Sequence, residues 1–307
     1  MRESGGVGLK LEVTGHGRPG LAVHIAAGGR LLLRQGDQPV LLAKVFNDYS
    51  GVEYLVTDRF RSPIAPLRAS HAATIADSDE ENRGERWAHH FASALESARQ
   101  SPLHDGSWLL DTRHTRPEST PWASVAAQRW TQRLLAENPG AIDWIAQHGD
   151  SQVLPLRRLS DATDTRVKSY RRQARAGILP PVLLWWISSL YSYVVLDGHD
   201  RILAAVAEDQ WPSFIALAPA DRRSTDLDSQ EAIDRHLAER QRIQPGNSEA
   251  LVASGRRLAR MLNHIDADHG RTRAWMLPGG GAAWDAVAQA HAPGWLDRIS
   301  RFIDSER

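Results

Sequence analysis

Apolar and polar residues alternate along the first 60 residues of the chain, a pattern typical of β-strands. Residues 9–13 and 21–25 carry an apolar side chain at every second position, and Gly28-Gly29 is typical of a hairpin turn. Further short strands are predicted at residues 30–33, 40–46 and 53–57. The pattern therefore predicts a small antiparallel meander or half-barrel at the N-terminus.

The periodicity becomes helical after residue 84. Residues 61–84 are rich in turn residues and then acidic, which predicts a solvated linker. Trp87, Phe91 and Leu95 then recur at every fourth position and so share one face of a helix. Further helices are predicted at residues 121–134, 141–148, 229–242 and 247–265, with a last pair around Trp284 and Trp295.

A different pattern occupies the centre of the chain. Residues 193–196 are predicted to form a buried strand, and residues 202–208 a helix rich in small side chains. Between them lies the motif turn, Asp197-Gly198-His199-Asp200-Arg201. A strand that turns directly into a helix leaves first-turn N–H groups without intrahelical partners, and the helix dipole adds partial positive charge there.

The side chains of the motif turn suit the handling of a phosphate group, most plausibly on a nucleotide. Gly198 lets the backbone approach a ligand, and Arg201 offers a planar fork for phosphate oxygens. His199 can donate a hydrogen bond or move a proton near neutral pH. A simpler interpretation is also open: Asp197 or Asp200 caps the helix, and Arg201 pairs with that residue at the surface.

Five features follow one another between Val153 and about Leu217. They are a short strand with basic residues at 153–159, an acidic turn into a helix from Ser160, a Gly-x-x-Pro-Pro strand at 177–186, the motif turn with its helix, and a last strand at 211–217. Their order and spacing resemble the ParB/sulfiredoxin superfamily. Its members include CTP-binding partition proteins, the ATP-using reductase sulfiredoxin, free-serine kinases and some nucleases. The Asp-Gly-His-x-Arg form is closest to the kinase and nuclease-like branch.

The resemblance implies roles for residues of this domain. The phosphates would be held by the motif turn, Asp197, Gly198, His199, Asp200 and Arg201, together with Arg158. In the kinase-like relatives an acidic residue near the preceding helix activates the acceptor hydroxyl and helps to hold Mg²⁺. Asp161 is the nearest positional candidate and Asp164 the next, with His199 as the third catalytic candidate. Asp161 and Asp164 equally fit ordinary capping at the start of a helix.

Composition narrows the chemistry. Lys plus Arg and Asp plus Glu both number 37, so no overall basic field favours a nucleic acid as the partner. The chain has no Cys, which excludes disulfides, thiolate metal sites and the sulfiredoxin thiol mechanism. No apolar run approaches a membrane span and the first residues lack a hydrophobic signal core, so the expected compartment is the cytoplasm. His264-x-Asp266-x-Asp268-His269 has metal-ligand residue types but also fits a helix end, and no metal site is predicted there.

Together these observations predict an α+β protein whose central domain is ParB/sulfiredoxin-like. The predicted segments are a β-rich domain at 1–83, a helical connection at 84–150, the ParB/sulfiredoxin-like domain at 151–220 and a helical region at 221–307. The leading functional hypothesis is phosphoryl transfer from ATP, ADP or another nucleotide, with Mg²⁺, to a small-molecule hydroxyl acceptor. The alternatives are a metal-dependent nuclease and a non-catalytic nucleotide- or partner-binding regulatory protein. The sequence identifies neither the acceptor nor a protein partner.

Overall fold

The computed structural model describes residues 8–15, 17–46, 51–77, 80–112, 138–143, 152–220 and 270–304, with a few residues between 233 and 255. Within these ranges the chain forms helices and two mixed sheets, which confirms the α+β class. The predicted helix at 121–134 and the group from His264 to His269 lie outside the described residues, as do half of the predicted helix at 229–242 and most of the one at 247–265.

Twelve strands and six helices are described. The strands are β1 Gly8–Val13, β2 Leu21–Ala26, β3 Arg30–Gln35, β4 Gln38–Phe46, β5 Gly51–Val56, β6 Gly106–Asp111, β7 Gly140–Asp143, β8 Gln152–Leu154, β9 Val182–Ile187, β10 Ser192–Asp197, β11 Phe214–Pro219 and β12 Ala274–Met276. The helices are α1 Ala69–Ala76, α2 Glu80–Ser97, α3 Thr165–Arg175, α4 His199–Val206, α5 Gly280–His291 and α6 Pro293–Asp304. No described helix is long and apolar enough to cross a membrane.

One sheet, the meander sheet, has the strand order β12-β2-β3-β4-β5-β7. Its four central strands pair antiparallel in chain order, which confirms the predicted meander. The turn between β2 and β3 has positive φ at both Gly28 and Gly29, as a tight hairpin requires. The predicted helix at 141–148 is wrong at its start, because residues 140–143 instead pair with β5 as the edge strand β7.

The other sheet, the motif sheet, has the strand order β1-β6-β11-β9-β10-β8 and carries the motif turn at the end of β10. β1 was expected in the meander, but its backbone pairs antiparallel with β6 instead. The motif sheet therefore takes one strand from segment 1–83, one from 84–150 and four from 151–220. In the same way β12, from the region predicted to be helical, pairs with β2 in the meander sheet.

The inner faces of both sheets share one hydrophobic core with α1 and α2. The predicted face of α2 is confirmed, since Trp87, Phe91 and Leu95 are buried in this core. The linker expected at 61–84 is instead partly helical: α1 buries Ala72 and Ile75, three residues apart, and α2 begins within the acidic run.

The outer faces of the two sheets are covered by different helices. On the motif sheet, Val195 of β10 packs with Ile202 of α4 in a small second cluster. On the meander sheet, Trp284 of α5 and Trp295 of α6 pack over Leu32 and Leu42. The motif turn thus lies at one end of the motif sheet, where β10 passes into α4.

Candidate functional site

The strand-turn-helix unit predicted at the centre of the chain is present. β10 ends at Asp197, Gly198 takes a left-handed conformation with φ of 94°, and α4 begins at His199. The Gly198 carbonyl accepts hydrogen bonds from the N–H groups of Arg201 and Ile202, at 2.9 and 3.3 Å. The helix therefore starts three residues earlier than predicted, and the polar residues of the motif turn form its first turn.

His199 points into the protein. Its side chain is buried, its Nε2 accepts a hydrogen bond from the Leu156 N–H at 3.1 Å, and its ring packs near Phe60. The pKa of His199 is lowered to about 3, chiefly by burial and in part by the positive charge of Arg157, while Asp200 partly opposes the shift. A neutral imidazole that holds a backbone N–H is suited to positioning the segment that follows β8 and not to the predicted proton transfer near neutral pH.

This burial has a consequence for stability against pH. The folded-state pKa of His199 is depressed, so the folded protein resists protonation that the unfolded chain accepts below its ordinary pKa of 6.5. As the pH falls from about 7.5 to about 5, we expect this residue to lower the free energy of unfolding by about 2 kcal/mol. Urea titrations at several pH values measure this change. In the variant His199→Gln the free energy of unfolding should depend less on pH.

The control for that experiment is His89→Gln. His89 lies exposed on α2 and faces Glu85, so this variant should keep the wild-type dependence on pH. If His199→Gln and His89→Gln gave the same profile as the wild type, the neutral and buried state of His199 would be contradicted.

Asp200 is also buried, with 1% of its side chain exposed. Its carboxylate accepts hydrogen bonds from Arg157 Nη2 at 2.8 Å and from the Ser160 N–H at 3.1 Å. Burial by itself raises the pKa of Asp200, but the hydrogen bonds and charge of Arg157 and the Ser160 N–H outweigh it, so the pKa lies below its usual value. Asp200 therefore fixes the loop before α3 to the start of α4.

Arg201 completes the inward-facing set. Its side chain is 1% exposed, and its Nη2 donates to the carboxylate of Asp197, which also accepts from Ser62 Oγ at 2.8 Å. Arg201 Nε is buried and has no hydrogen-bond partner among the described residues. The guanidinium lies directly against Gly198, where an added Cβ would be 2.5 Å from Nε. The Asp197–Arg201 pair expected in the simpler interpretation is present, but it is inside the protein and not on the surface.

The acidic candidates lie at the start of α3 and are exposed. Asp161 accepts hydrogen bonds from Thr163 N and Oγ1, at 2.7 and 2.6 Å, and these bonds lower its pKa. Asp164 caps α3, accepting from the Arg166 N–H at 2.7 Å. Asp164 therefore caps the helix as the capping interpretation predicts, whereas Asp161 closes a turn before the helix, and neither contacts the side chains of the motif turn within the described part of the chain.

Arg158 also stands apart from the motif turn. Its side chain is 85% exposed, its Nε lies 3.7 Å from the Asp58 carboxylate, and its backbone N–H donates to the same carboxylate. The structure thus brings together Asp197, His199 and their neighbours in the motif turn, and leaves Arg158 on the adjacent loop.

A group of accessible cationic side chains lies on α3. A shallow depression of about 320 Å³ is lined by five of its residues, Thr165, Lys168, Arg171, Arg172 and Arg175. Arg171 and Arg175 are held by Glu208, at 2.6 and 2.9 Å. In the sequence, the basic run of Arg157, Arg158, Arg166, Arg171 and Arg172 predicts either a phosphate groove or a solvated helix face, and that run leaves out Lys168 and Arg175. Their spacing of three and four residues from Arg172 and Arg171 was the signal that could have grouped them.

Metal ligands are sparse. No group of three or more His, Asp or Glu side chains in the described residues is arranged to hold a metal ion. The predicted Mg²⁺ would therefore be bound chiefly through the phosphates of a nucleotide, as is common for this ion, and Asp161 is an exposed carboxylate on which the charge of Lys168 acts.

Comparisons with protein-family models, with curated proteins and with solved structures gave no significant match. The resemblance to the ParB/sulfiredoxin superfamily consequently depends on the order of residues and elements in this chain alone.

Proposed function

We propose that the protein binds a nucleotide or a similar phosphate ester through a ParB/sulfiredoxin-like domain, and that it acts as a binding or regulatory protein. The observation that supports this proposal is the depression on α3, in which four cationic side chains and one hydroxyl lie together. Successive residues of a helix are rotated by about 100°, so these five side chains all lie within an arc of about 120° on one side of α3.

The arrangement suits an anion with several oxygens. Lys168 and Arg172 are exposed, and neither has an ion-pair partner in the described ranges. The Glu208 carboxylate orients Arg171 and Arg175, so less conformational entropy is lost when a ligand binds them. Arginine offers paired donors that match phosphate oxygens, and lysine adds a point charge.

The motif turn favours binding over catalysis. The side chains of His199, Asp200 and Arg201 are each engaged with another part of the protein and are nearly inaccessible. A general acid or base must reach the reacting atoms within hydrogen-bond distance. The nuclease alternative depended on His199 acting on a phosphodiester, so its burial leaves that alternative without support.

Phosphoryl transfer remains a second candidate because of Asp161. This carboxylate is exposed, has a lowered pKa that keeps it ionised, and lies close enough to Lys168 at the depression for that charge to act on it. In a transfer reaction Asp161 would accept the proton of the acceptor hydroxyl as the phosphoryl group leaves the nucleotide, while Mg²⁺ would neutralise phosphate charge.

A calorimetric panel of ATP, ADP, CTP and GTP with Mg²⁺ tests the proposal. We expect at least one nucleotide to bind, and the double variant Lys168→Gln/Arg172→Gln to weaken that binding about tenfold or more, because two charge-assisted contacts are lost. The matched control is Lys10→Gln/Arg34→Gln, which removes the same two charges from an exposed position on β1 and a half-buried position on β3, both away from α3. Equal affinity of the two double variants, or no binding by the wild type, would contradict the proposal. Transfer of phosphate to a hydroxyl compound in the same samples would favour the second candidate.

A further inference from the structure

The motif turn is covered by a segment from outside its own domain. This segment, residues 58–64, is called the strap here and runs from β5 toward α1. Every second residue of its first half contacts the motif domain. Asp58 pairs with Arg158. The Phe60 ring lies 5.9 Å from the His199 ring, measured between centroids. Ser62 Oγ donates to the Asp197 carboxylate at 2.8 Å.

The strap is anchored to the meander sheet between those contacts. The Arg61 N–H donates to Gln35 Oε1 at 2.9 Å, and Gln35 Nε2 donates to the Arg61 carbonyl at 2.7 Å. Gln35 is itself buried at the end of β3. One segment, the strap, therefore joins the meander sheet to the motif turn. Because of these contacts the strap covers a turn whose residue types suit phosphate binding.

Two features of the covered state are unfavourable. Asp58 has a φ of 59°, in the left-handed region that residues with a Cβ rarely adopt. Arg201 Nε is buried without a partner among the described residues, although its guanidinium is charged. Movement of the strap would release Asp58 from its left-handed conformation. An anion that reached the motif turn would give Arg201 Nε a hydrogen-bond partner. Both features lie at the edges of the same contact.

We propose that the strap is an autoinhibitory cover that controls access of a phosphate group to the motif turn. When Asp58 and Ser62 release their partners, the first-turn N–H groups of α4 and the Arg201 guanidinium become accessible. A phosphate oxygen can then compete with the Asp197 carboxylate for Arg201. This inference rests on the proposed function, because it adds the motif turn as a second, covered phosphate site in the same domain as the exposed depression on α3.

The test removes the two polar contacts and leaves Phe60 in the core. In the double variant Asp58→Ala/Ser62→Ala, hydrogen exchange of a peptide that covers residues 197–203 should become about tenfold faster, because the turn is uncovered more often. In the Lys168→Gln/Arg172→Gln background, which removes the exposed site on α3, affinity for pyrophosphate measured by calorimetry should rise by a similar factor. The matched control Asp37→Ala/Ser70→Ala removes the same two groups from exposed positions on the β3–β4 turn and on α1. It should change neither quantity.

The two readouts separate the strap from the function on which it depends. Faster exchange with tighter pyrophosphate binding supports both. Faster exchange with no pyrophosphate binding in that background overturns the motif turn as a covered phosphate site, while the nucleotide panel on the α3 depression decides the proposed function separately. Unchanged exchange, or pyrophosphate that binds wild type and variant equally, overturns the strap as an inhibitory cover. If the double variant did not fold, Ser62→Ala alone, which removes one exposed hydroxyl, gives the same comparison with a smaller expected change.

Discussion

Replacing Gly198 with alanine is expected to lower the free energy of unfolding by about 3 kcal/mol or more. Two effects add. Gly198 has a φ of 94°, which an L-residue adopts only with strain. A Cβ at this position would also lie 2.5 Å from Nε and 2.6 Å from Nη2 of Arg201, so the buried guanidinium would have to leave Asp197. Separation of a buried ion pair accounts for the larger share of the loss.

Gly177 supplies the matched control. It follows α3 with a φ of 69°, and an added Cβ there would meet no atom within 4 Å. Gly177→Ala therefore carries the backbone strain without the clash, and we expect it to cost only about 1 kcal/mol. Urea unfolding of both variants measures the difference. Equal losses for Gly177→Ala and Gly198→Ala would show that Arg201 is not held against the glycine as described.

Asp200→Ala is expected to destabilise the protein by about 3 kcal/mol near pH 7. The substitution removes the carboxylate that holds Arg157 and the Ser160 N–H, so a partly buried guanidinium and a backbone donor lose their shared acceptor. The folded-state pKa of Asp200 is lowered, so its stabilising effect is present above the ordinary aspartate pKa of 3.8 and is lost as the pH falls through the lower folded value. The gap between wild type and variant should therefore narrow below about pH 4.

Unfolding titrations from neutral to acid pH check both parts of this expectation. Asp37→Ala is a suitable control, since Asp37 is fully exposed and its contact with Arg34 is long at 3.3 Å. It should leave the unfolding midpoint unchanged. A gap between wild type and Asp200→Ala that stayed constant from pH 7 to acid would mean that the carboxylate does not stabilise the fold through its charge.

The parts of the fold that the sequence predicted well are those set by neighbouring residues. The meander β2–β5 follows from alternation and from a Gly-Gly hairpin, both of which act over a few positions. The strand, turn and helix at 192–206 likewise follow from a local change of periodicity. β1 has the same alternation as β2, but its partner β6 lies about a hundred residues away, and no local pattern specifies that choice.

The surroundings of the motif turn were not predictable for the same reason. Charged residues are mostly exposed unless they are paired, so Asp200 and Arg201 were expected near solvent. Their burial depends on Arg157, 43 residues before Asp200, and on Ser62, 135 residues before Asp197. The strap sequence from Asp58 to Ser62 contains three charged residues and looks like an exposed turn. Only the assembled fold shows that its alternate side chains face the motif domain.

The pairing of β12 with β2 also constrains how this protein folds during synthesis. Ala274 lies opposite Val23, so about 250 residues separate the two partners. On the ribosome the β2–β5 meander can form early, yet the free edge of β2 must wait until the chain beyond residue 276 has left the exit tunnel. Through that interval the edge of β2 is open to pairing with other nascent chains, which is the aggregation risk that an unpaired strand edge carries.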